Sequence, residues 1–520
     1  QTKVKTLEKV VIRFSGDSGD GMQLTGTIFS NLSAVFGNEI STFPDYPAEV
    51  RAPQGTLSGV SGFQVHLGSR KIFTPGDKAD VLVAMNPAAL KVNVKHLKPN
   101  AIVLIDTDSF QKSDLDKALF TTDDTFTELG LTGVQVVAAP ISTMVKDGLV
   151  EFGLDNKSAL RCKNMFALGL VCWLFERPLE EAMHMLQNKF AKKPVIAQAN
   201  IKALTDGYNY GNNIQASVST YRIEIKKAEP GFYTDVNGNK ATSYGLIAAA
   251  EKAGLQLFLG SYPITPATDI LHELSKRKDL GVITVQAEDE IAGICTSIGA
   301  SFAGCLAATS TSGPGLALKS EAIGLAVIAE LPLVIIDVQR GGPSTGLPTK
   351  SEQTDLMQAL YGRNGESPAV VIAASTPTDC FDAAFWAGKL AVEHMTPVIL
   401  LTDAFIANGS SAWRIPKMDK YPEIKPNYVA NYQDEKVWKA YRRNKESLVR
   451  YWAIPGTEGF AHRLGGLEKD YETSAISTDP ANHQKMVTTR QAKIDKIADY
   501  IPELEVIGDE DADLLIVGWG

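Results

Sequence analysis

The chain of 520 residues exceeds one ordinary core, so two to four domains are expected. Its composition is that of a globular protein, 44% hydrophobic and 21% charged, and a formal net charge of −9 argues against a nucleic-acid partner, which needs basic surface to neutralise phosphates. Five cysteines without a C-x-x-C pair and seven scattered histidines suggest neither a disulfide framework nor a metal site, and no apolar run is long enough to span a bilayer.

Residues 1–206 read as an α/β unit. VVIRF (10–14) is a strand, followed by the loop SGDSGDGMQ and the helical run LTGTIFSNLSAVFG. VLVAM (81–85), AIVLID (101–106) and VQVVAA (134–139) are further strands, and KSALRCKNMFALGLVCWLFE has helical period. Residues 207–239, with GYNYGNN and EPGFYTDVNGN, are rich in Gly, Asn and Pro and read as a linker. A second α/β unit is expected over 240–413. Its strands are LQLFLG (255–260), GVITVQ (281–286), CLAATST (305–311), LPLVIIDV (331–338), AVVIAAS (369–375) and TPVILLTD (396–403). They are almost wholly apolar, as in a doubly wound parallel sheet covered on both faces. Residues 414–502 are polar and aromatic without a clean period and read as an irregular connecting segment. Residues 503–520, with the strand LLIV (514–517), read as the start of a further α/β domain left unfinished. No secretory signal is visible, and the cysteines read as small core residues of a cytoplasmic protein.

Doubly wound sheets bind ligands at the carboxyl ends of their strands, so the loops there carry the chemistry. In SYPITPATD, Pro263 and Pro266 stiffen a short strand-to-helix connection around Thr265. AEDEIAGICTSIGASFAG opens a helix whose small residues allow close approach; Glu290 at its head is either a buried acid needing a partner or an exposed acid favoured by the helix dipole. TSTSGPGLALKSEAIG offers backbone N–H groups around Ser312 and Gly313 to an anion or a cofactor. VQRGGPSTGLPTKSEQTDL gathers Arg340, Ser344, Thr345, Thr349 and Lys350 in a mobile-looking loop. Its arginine suits bidentate carboxylate recognition, with a structural salt bridge as the competing explanation. The N-terminal loop SGDSGDG has G-x-x-G-x-G spacing with two acids, so it matches neither dinucleotide nor P-loop fingerprint.

Taken in order, YPITP, EDEIAG, TSGPG and QRGGPSTGLPTKSEQTDL resemble the α subunits of 2-oxoacid:ferredoxin oxidoreductases. The long GGPSTGLPTKSEQ form is most similar to the 2-oxoglutarate branch. FSGDSGDGMQLTG and YPAEVRAPQG resemble the family's γ domain, fused ahead of the α domain. The resemblance implies a γ-type α/β domain followed by a thiamine-diphosphate pyrimidine-binding-type domain. It implies that Glu290 hydrogen-bonds the aminopyrimidine ring of the cofactor, that Thr265 faces the substrate, and that Arg340 takes its carboxylate. Lys350 and Thr349, with Ser344, are read for the distal carboxylate of 2-oxoglutarate, and Pro263, Ser312 and Gly313 for cofactor binding. The expected reaction is coenzyme-A-dependent oxidative decarboxylation of 2-oxoglutarate to succinyl-CoA, with electrons passed to ferredoxin. This chain has no cysteine array for a cluster and no G-D-G…N motif for the diphosphate's Mg²⁺. The family places both on a separate β subunit, so an α2β2-type hetero-oligomer is expected. HRLGGLEKD (462–470) departs from the family pattern, with Lys469 where a histidine falls.

The alternatives are the same chemistry on pyruvate, branched-chain or aryl 2-oxoacids, or a noncatalytic partner subunit of the same fold. A nicotinamide dehydrogenase fails for want of the fingerprint.

Overall fold

The structure is a computed structural model describing residues 3–47, 52–214, 219–225, 229–431 and 437–520. The chain separates into two compact units, Gln1–Val236 with Gly409–Ile415, and Asn237–Asn408 with Pro416–Gly520.

The first unit contains β1 (Lys3–Leu7), β2 (Lys9–Asp17), β3 (Glu39–Asp45), β4 (Val60–Gly68), β5 (Ala79–Ala84), β6 (Leu97–Asp106), β7 (Gln135–Ala139), β8 (Ser219–Ile223) and β9 (Tyr233–Asn237). β7, β6, β5 and β2 lie side by side in parallel, and β4 and β3 extend the sheet antiparallel. Beyond β3 the sheet continues through Ser410–Arg414, a strand returning from late in the chain, to β9. The four parallel strands are those expected from their apolar runs. β3 and β4 are not legible that way, because they bury polar side chains that are satisfied internally. Gln64 Nε2 donates to Pro75 O at 2.7 Å, and the Thr42 and Ser410 hydroxyls lie 2.8 Å apart.

The segment 207–239 is not a loop linker. Its first residues complete the helix Pro194–Ile214, and β8 and β9 lie within it. The glycines that suggested a linker serve helix packing instead. A Cβ on Gly207 would fall 2.0 Å from Phe166 O, and one on Gly169 would fall 2.0 Å from Leu204 O, so small residues let Pro194–Ile214 lie directly on Lys163–Leu174. Residues 215–218 and 226–228 of this segment, and 48–51 of YPAEVRAPQG, lie outside the described residues.

The second unit holds the six predicted strands as β10 (Leu257–Ser261), β11 (Ile283–Gln286), β12 (Leu306–Thr311), β13 (Leu333–Gln339), β14 (Val370–Ala373) and β15 (Pro397–Asp403). All are parallel, in the order β11–β10–β12–β13–β15–β14. Alternate residues of β13 explain its continuous apolar run. Leu333 and Ile335 pack in one core cluster with Ile294, Leu316 and Ile323 from the helices Glu290–Phe302, Gly313–Leu318 and Ser320–Ala329. Val334 and Ile336 point to the opposite face and are equally buried. From β10 the chain adds β11 on one side and β12 on the other. The strand order therefore reverses at β10/β12, the position at whose carboxyl ends doubly wound sheets bind ligands.

A buried acid, Glu330, is one of the ties that hold residues 437–500 to this unit. Glu330 accepts from Arg443 Nη2 at 2.6 Å and from Lys493 Nζ at 2.8 Å, and Arg450 Nε donates to its carbonyl at 3.0 Å. Burial alone would raise the Glu330 carboxyl, but Arg443 and Lys493 outweigh it and hold it at about 2. LLIV (514–517) is not a strand: residues 501–520 form neither helix nor strand, and Leu514, Leu515, Ile516 and Val517 are exposed. An apolar run without a neighbouring strand has no ladder to join. No helix among the described residues is long and apolar enough to cross a membrane.

Candidate active site

β10 and β12 are tied at the point of reversal by two serines. Ser261 is buried, its hydroxyl lies 2.9 Å from that of Ser310, and it accepts from Ser310 N at 2.8 Å. The chain then enters the proline turn, with Pro263 half-buried, Thr265 exposed and Pro266 buried. Asn239 Nδ2 donates to Pro266 O at 2.8 Å. Arg340, at the end of β13, donates from Nη1 to Thr265 O at 2.7 Å and from Nη2 to Thr345 O at 2.8 Å. Its guanidinium therefore clasps the proline turn to the Gly-rich loop rather than forming a salt bridge. Only 7% of Arg340 is exposed, and Nε has no partner among the described residues.

Glu290 is the first residue of the helix Glu290–Phe302, with Asp289 capping it by accepting from Ala292 N at 2.7 Å. The small residues of this helix allow the approach expected of them. A Cβ on Gly260 of β10 would fall 2.5 Å from Gly293 O, and Ser297 Oγ donates to Ala308 O at 2.8 Å. Glu290 is half-buried, between the two alternatives read from sequence. Its carbonyl, rather than its carboxylate, is held by a residue that the sequence reading passed over. Lys319 Nζ donates to Glu290 O at 2.6 Å from a fully buried side chain. In LALKSEA the lysine looks like an exposed helical residue. The signal against that reading is its place between two helical runs beside small residues.

The turn after β12 begins with Ser312, which is buried and whose hydroxyl has no partner among the described residues. A Cβ on Gly315 would fall 1.9 Å from Thr311 Oγ1 and 2.9 Å from Glu290 Cγ, so glycine here brings the turn directly against Glu290. A Cβ on Gly313 would fall 2.7 Å from Asp355 Oδ2. Nearby on β13 lies Asp337, a fully buried carboxyl whose two oxygens have no hydrogen-bond partner among the described residues. Burial, and then the Asp355 carboxyl, push Asp337 well above the usual range.

The loop after Arg340 is folded rather than mobile. Gly341 N donates to Lys350 O at 2.9 Å, Leu347 N to Gly341 O at 2.8 Å, and Gly342 N to Glu352 Oε2 at 3.1 Å. Ser344 and Lys350 are exposed and Thr349 is half-buried. A cleft of about 540 Å³ is lined by Gly313, Arg340, Ser344, Glu352, Asp355 and Gln358. The structure thus brings Gly313, Arg340 and Ser344 to one cleft. Thr265 is tied to it through Arg340, and Glu290 through the Gly315 turn; Thr349 and Lys350 share the loop without lining the cleft. Lys469 is a buried strut, its ammonium donating to Gly465 O at 3.2 Å and to Leu467 O.

In the first unit, two acids tie the loop after β2 to its surroundings, although Asp17 Oδ1 is buried without a partner among the described residues. Asp20 accepts from Asp17 N at 2.8 Å and pairs with Lys163 at 2.9 Å, while Asp17 accepts from Gly55 N at 3.0 Å. Burial, followed by Asp20, raises the Asp17 carboxyl.

A six-stranded parallel sheet whose order reverses at β10/β12, with helices packed on it, defines a doubly wound α/β protein. The thiamine-diphosphate-binding family model of pyruvate flavodoxin/ferredoxin oxidoreductases matches residues 248–479, and the pyruvate ferredoxin/flavodoxin oxidoreductase model matches residues 11–210. The chain is 53% identical over 516 residues to the 2-oxoglutarate oxidoreductase subunit KorA of Mycobacterium tuberculosis, covering 99% of this chain and 78% of that one. It is 30% identical to the α subunit of 2-oxoacid:ferredoxin oxidoreductase 1 of Aeropyrum pernix, over 74% of this chain and 60% of that one. Among solved structures it resembles the 2-oxoglutarate:ferredoxin oxidoreductase of Magnetococcus marinus, determined with 2-oxoglutarate, coenzyme A and succinyl-CoA bound. That match has a TM-score of 0.81 and 33% identity, covering 97% of this chain and 82% of that one. The chain belongs to the 2-oxoacid:ferredoxin oxidoreductase family, among the α subunits with a fused N-terminal γ-type domain.

Proposed function

We infer that this chain is the α-type subunit of a thiamine-diphosphate-dependent 2-oxoglutarate:ferredoxin oxidoreductase, forming succinyl-CoA and CO₂ from 2-oxoglutarate and coenzyme A while reducing ferredoxin. The observation that carries the reading is the Arg340 clasp, which joins the proline turn and the Gly-rich loop beside the glycine turn and Glu290. These residues fit the pyrimidine half of the cofactor. Glu290 heads its helix half-buried with its carbonyl already held by Lys319, leaving the carboxylate to accept from a ring nitrogen. When bound, the cofactor supplies the electron sink for decarboxylation.

Glu290 binds and moves the ring proton. Pro263, Ser312 and Gly313 shape the cofactor's seat. The N–H groups of Arg340 beyond the two that hold the loops take the 2-oxoacid carboxylate, and the clasp sets Thr265 beside the reacting carbon without ordering cost on binding. Ser344, Thr349 and Lys350 read the distal carboxylate. The diphosphate's Mg²⁺ and the iron–sulfur cluster belong to a β subunit, in an α2β2-type cytoplasmic assembly.

The test is to purify the chain with its β partner and measure coenzyme-A-dependent reduction of a viologen dye. 2-Oxoglutarate is expected to be used in preference to pyruvate, and Lys350→Met to narrow that preference. Absence of reduction with every 2-oxoacid, despite bound thiamine diphosphate, sinks the reading.

A further inference from the structure

We propose that Lys319 is a positioning residue for Glu290: its ammonium grips the first carbonyl of the helix Glu290–Phe302 and sets the orientation and charge environment of the carboxylate beside it. The inference rests on the role given above to Glu290. Lys319 stands where the helix Gly313–Leu318 passes into Ser320–Ala329, and its own N–H closes the first of these by donating to Gly315 O at 3.0 Å. The glycine turn and the lysine are therefore one short piece of chain that touches Glu290 twice. Gly315 lies against the Glu290 side chain, and Lys319 Nζ holds its carbonyl at 2.6 Å.

A fully buried ammonium whose one acceptor among the described residues is a neutral carbonyl is costly. A helix-closing position alone does not call for a cation. The titratable groups facing it are Glu290, Asp289 and the Cys295 thiol, so the charge that compensates the lysine comes from the acids at the helix head. Burial pushes the Lys319 ammonium down to about 8, against the pull of Glu290 and Asp289. As pH rises through that value the cation beside Glu290 is lost.

The test uses the complex assembled with the β subunit and follows two readouts across the alkaline range: thiamine diphosphate affinity by titration calorimetry, and kcat for 2-oxoglutarate-dependent dye reduction. The wild type is expected to lose both through a limb near pH 8. Lys319→Met should weaken affinity by about 10- to 100-fold and remove the limb, as expected for a lost charged hydrogen bond. Lys319→Arg, which keeps a cation of much higher pKa, should move the limb upward. Should Lys319→Met fail to assemble, Lys319→Arg decides, and a limb left near pH 8 in that variant overturns the proposal. Affinity within about twofold of wild type in Lys319→Met also overturns it, being far below a charged hydrogen bond. Glu290→Gln separates the two claims: if it retains turnover, the role of Glu290 itself is wrong, whatever Lys319 does.

Discussion

After β2, the run SGDSGDG carries two acids: Asp20 accepts from Asp17 N and pairs with Lys163, and Asp17 accepts from Gly55 N while its Oδ1 is buried without a partner among the described residues. After β12, the run TSGPG carries no acid. Its Ser312 hydroxyl is buried without a partner among the described residues, and the neighbouring charges come from outside the turn, with Glu290 against Gly315 and Lys319 across the helix head. Both are Gly-rich strand-to-helix turns, and glycine count does not distinguish them. What distinguishes them is where the acid stands: the first turn carries its own two acids, which repel an anionic group, whereas the second has none and lies against an acid that heads a neighbouring helix.

The sharpest break of this contrast is Glu290→Gln. Turnover of the assembled complex should fall by about 10²- to 10⁴-fold, the range for a lost proton-transfer group, with circular dichroism unchanged. Turnover within a few-fold of wild type removes Glu290 from the chemistry. Gly315→Ala comes next, because its Cβ meets Thr311 Oγ1 at 1.9 Å, and about 3 kcal/mol of stability should be lost. Its counterpart Gly19→Ala finds its nearest neighbour at 3.6 Å and should be close to neutral in thermal melts. Asp20→Ala removes both the Lys163 pair and the Asp17 N–H acceptor, and should cost about 1–2 kcal/mol while kcat per assembled complex stays constant. A fall in kcat instead would give the first turn a role in the reaction.

The smallest effect is a slope. Asp337 is raised in the folded state, so that state binds more protons than the unfolded chain. The stability it contributes is present below the ordinary carboxyl range and is lost as pH rises from there toward the raised value. Asp337→Asn should flatten that decline in melting temperature toward higher pH. Glu330 works in the opposite sense. Held at about 2, it contributes stability above the ordinary glutamate range that disappears as pH falls toward 2, so the acid limb should persist in Asp337→Asn.

The strands of the second unit were legible because parallel strands buried on both faces must be continuous apolar runs, and all six lie where their apolar runs are. The same rule misled at 514–517, where an apolar run has no partner strand. β3, β4 and Ser410–Arg414 were missed because side-chain hydrogen bonds of Gln64, Thr42 and Ser410 let polar residues into the interior and erase the period. Gly207 was misread because a glycine needed for helix contact looks like one needed for a turn. Within the site, the loops that meet at the strand ends could be located from motif order. The clasp of Arg340 on two backbone carbonyls, the raised carboxyl of buried Asp337 and the reach of Lys319 could not, because each depends on partners distant in sequence or on burial. The Asp that ends the apolar run LPLVIIDV was nonetheless a visible sign that something there needs a carboxyl.

Hydrogen exchange of the assembled complex with and without thiamine diphosphate tests the contrast between the two turns most directly. Added cofactor should protect amides in peptides spanning 260–266, 288–292 and 311–319 and leave those of 15–21 unchanged. Protection confined to 15–21, with none in the second unit, would contradict the account.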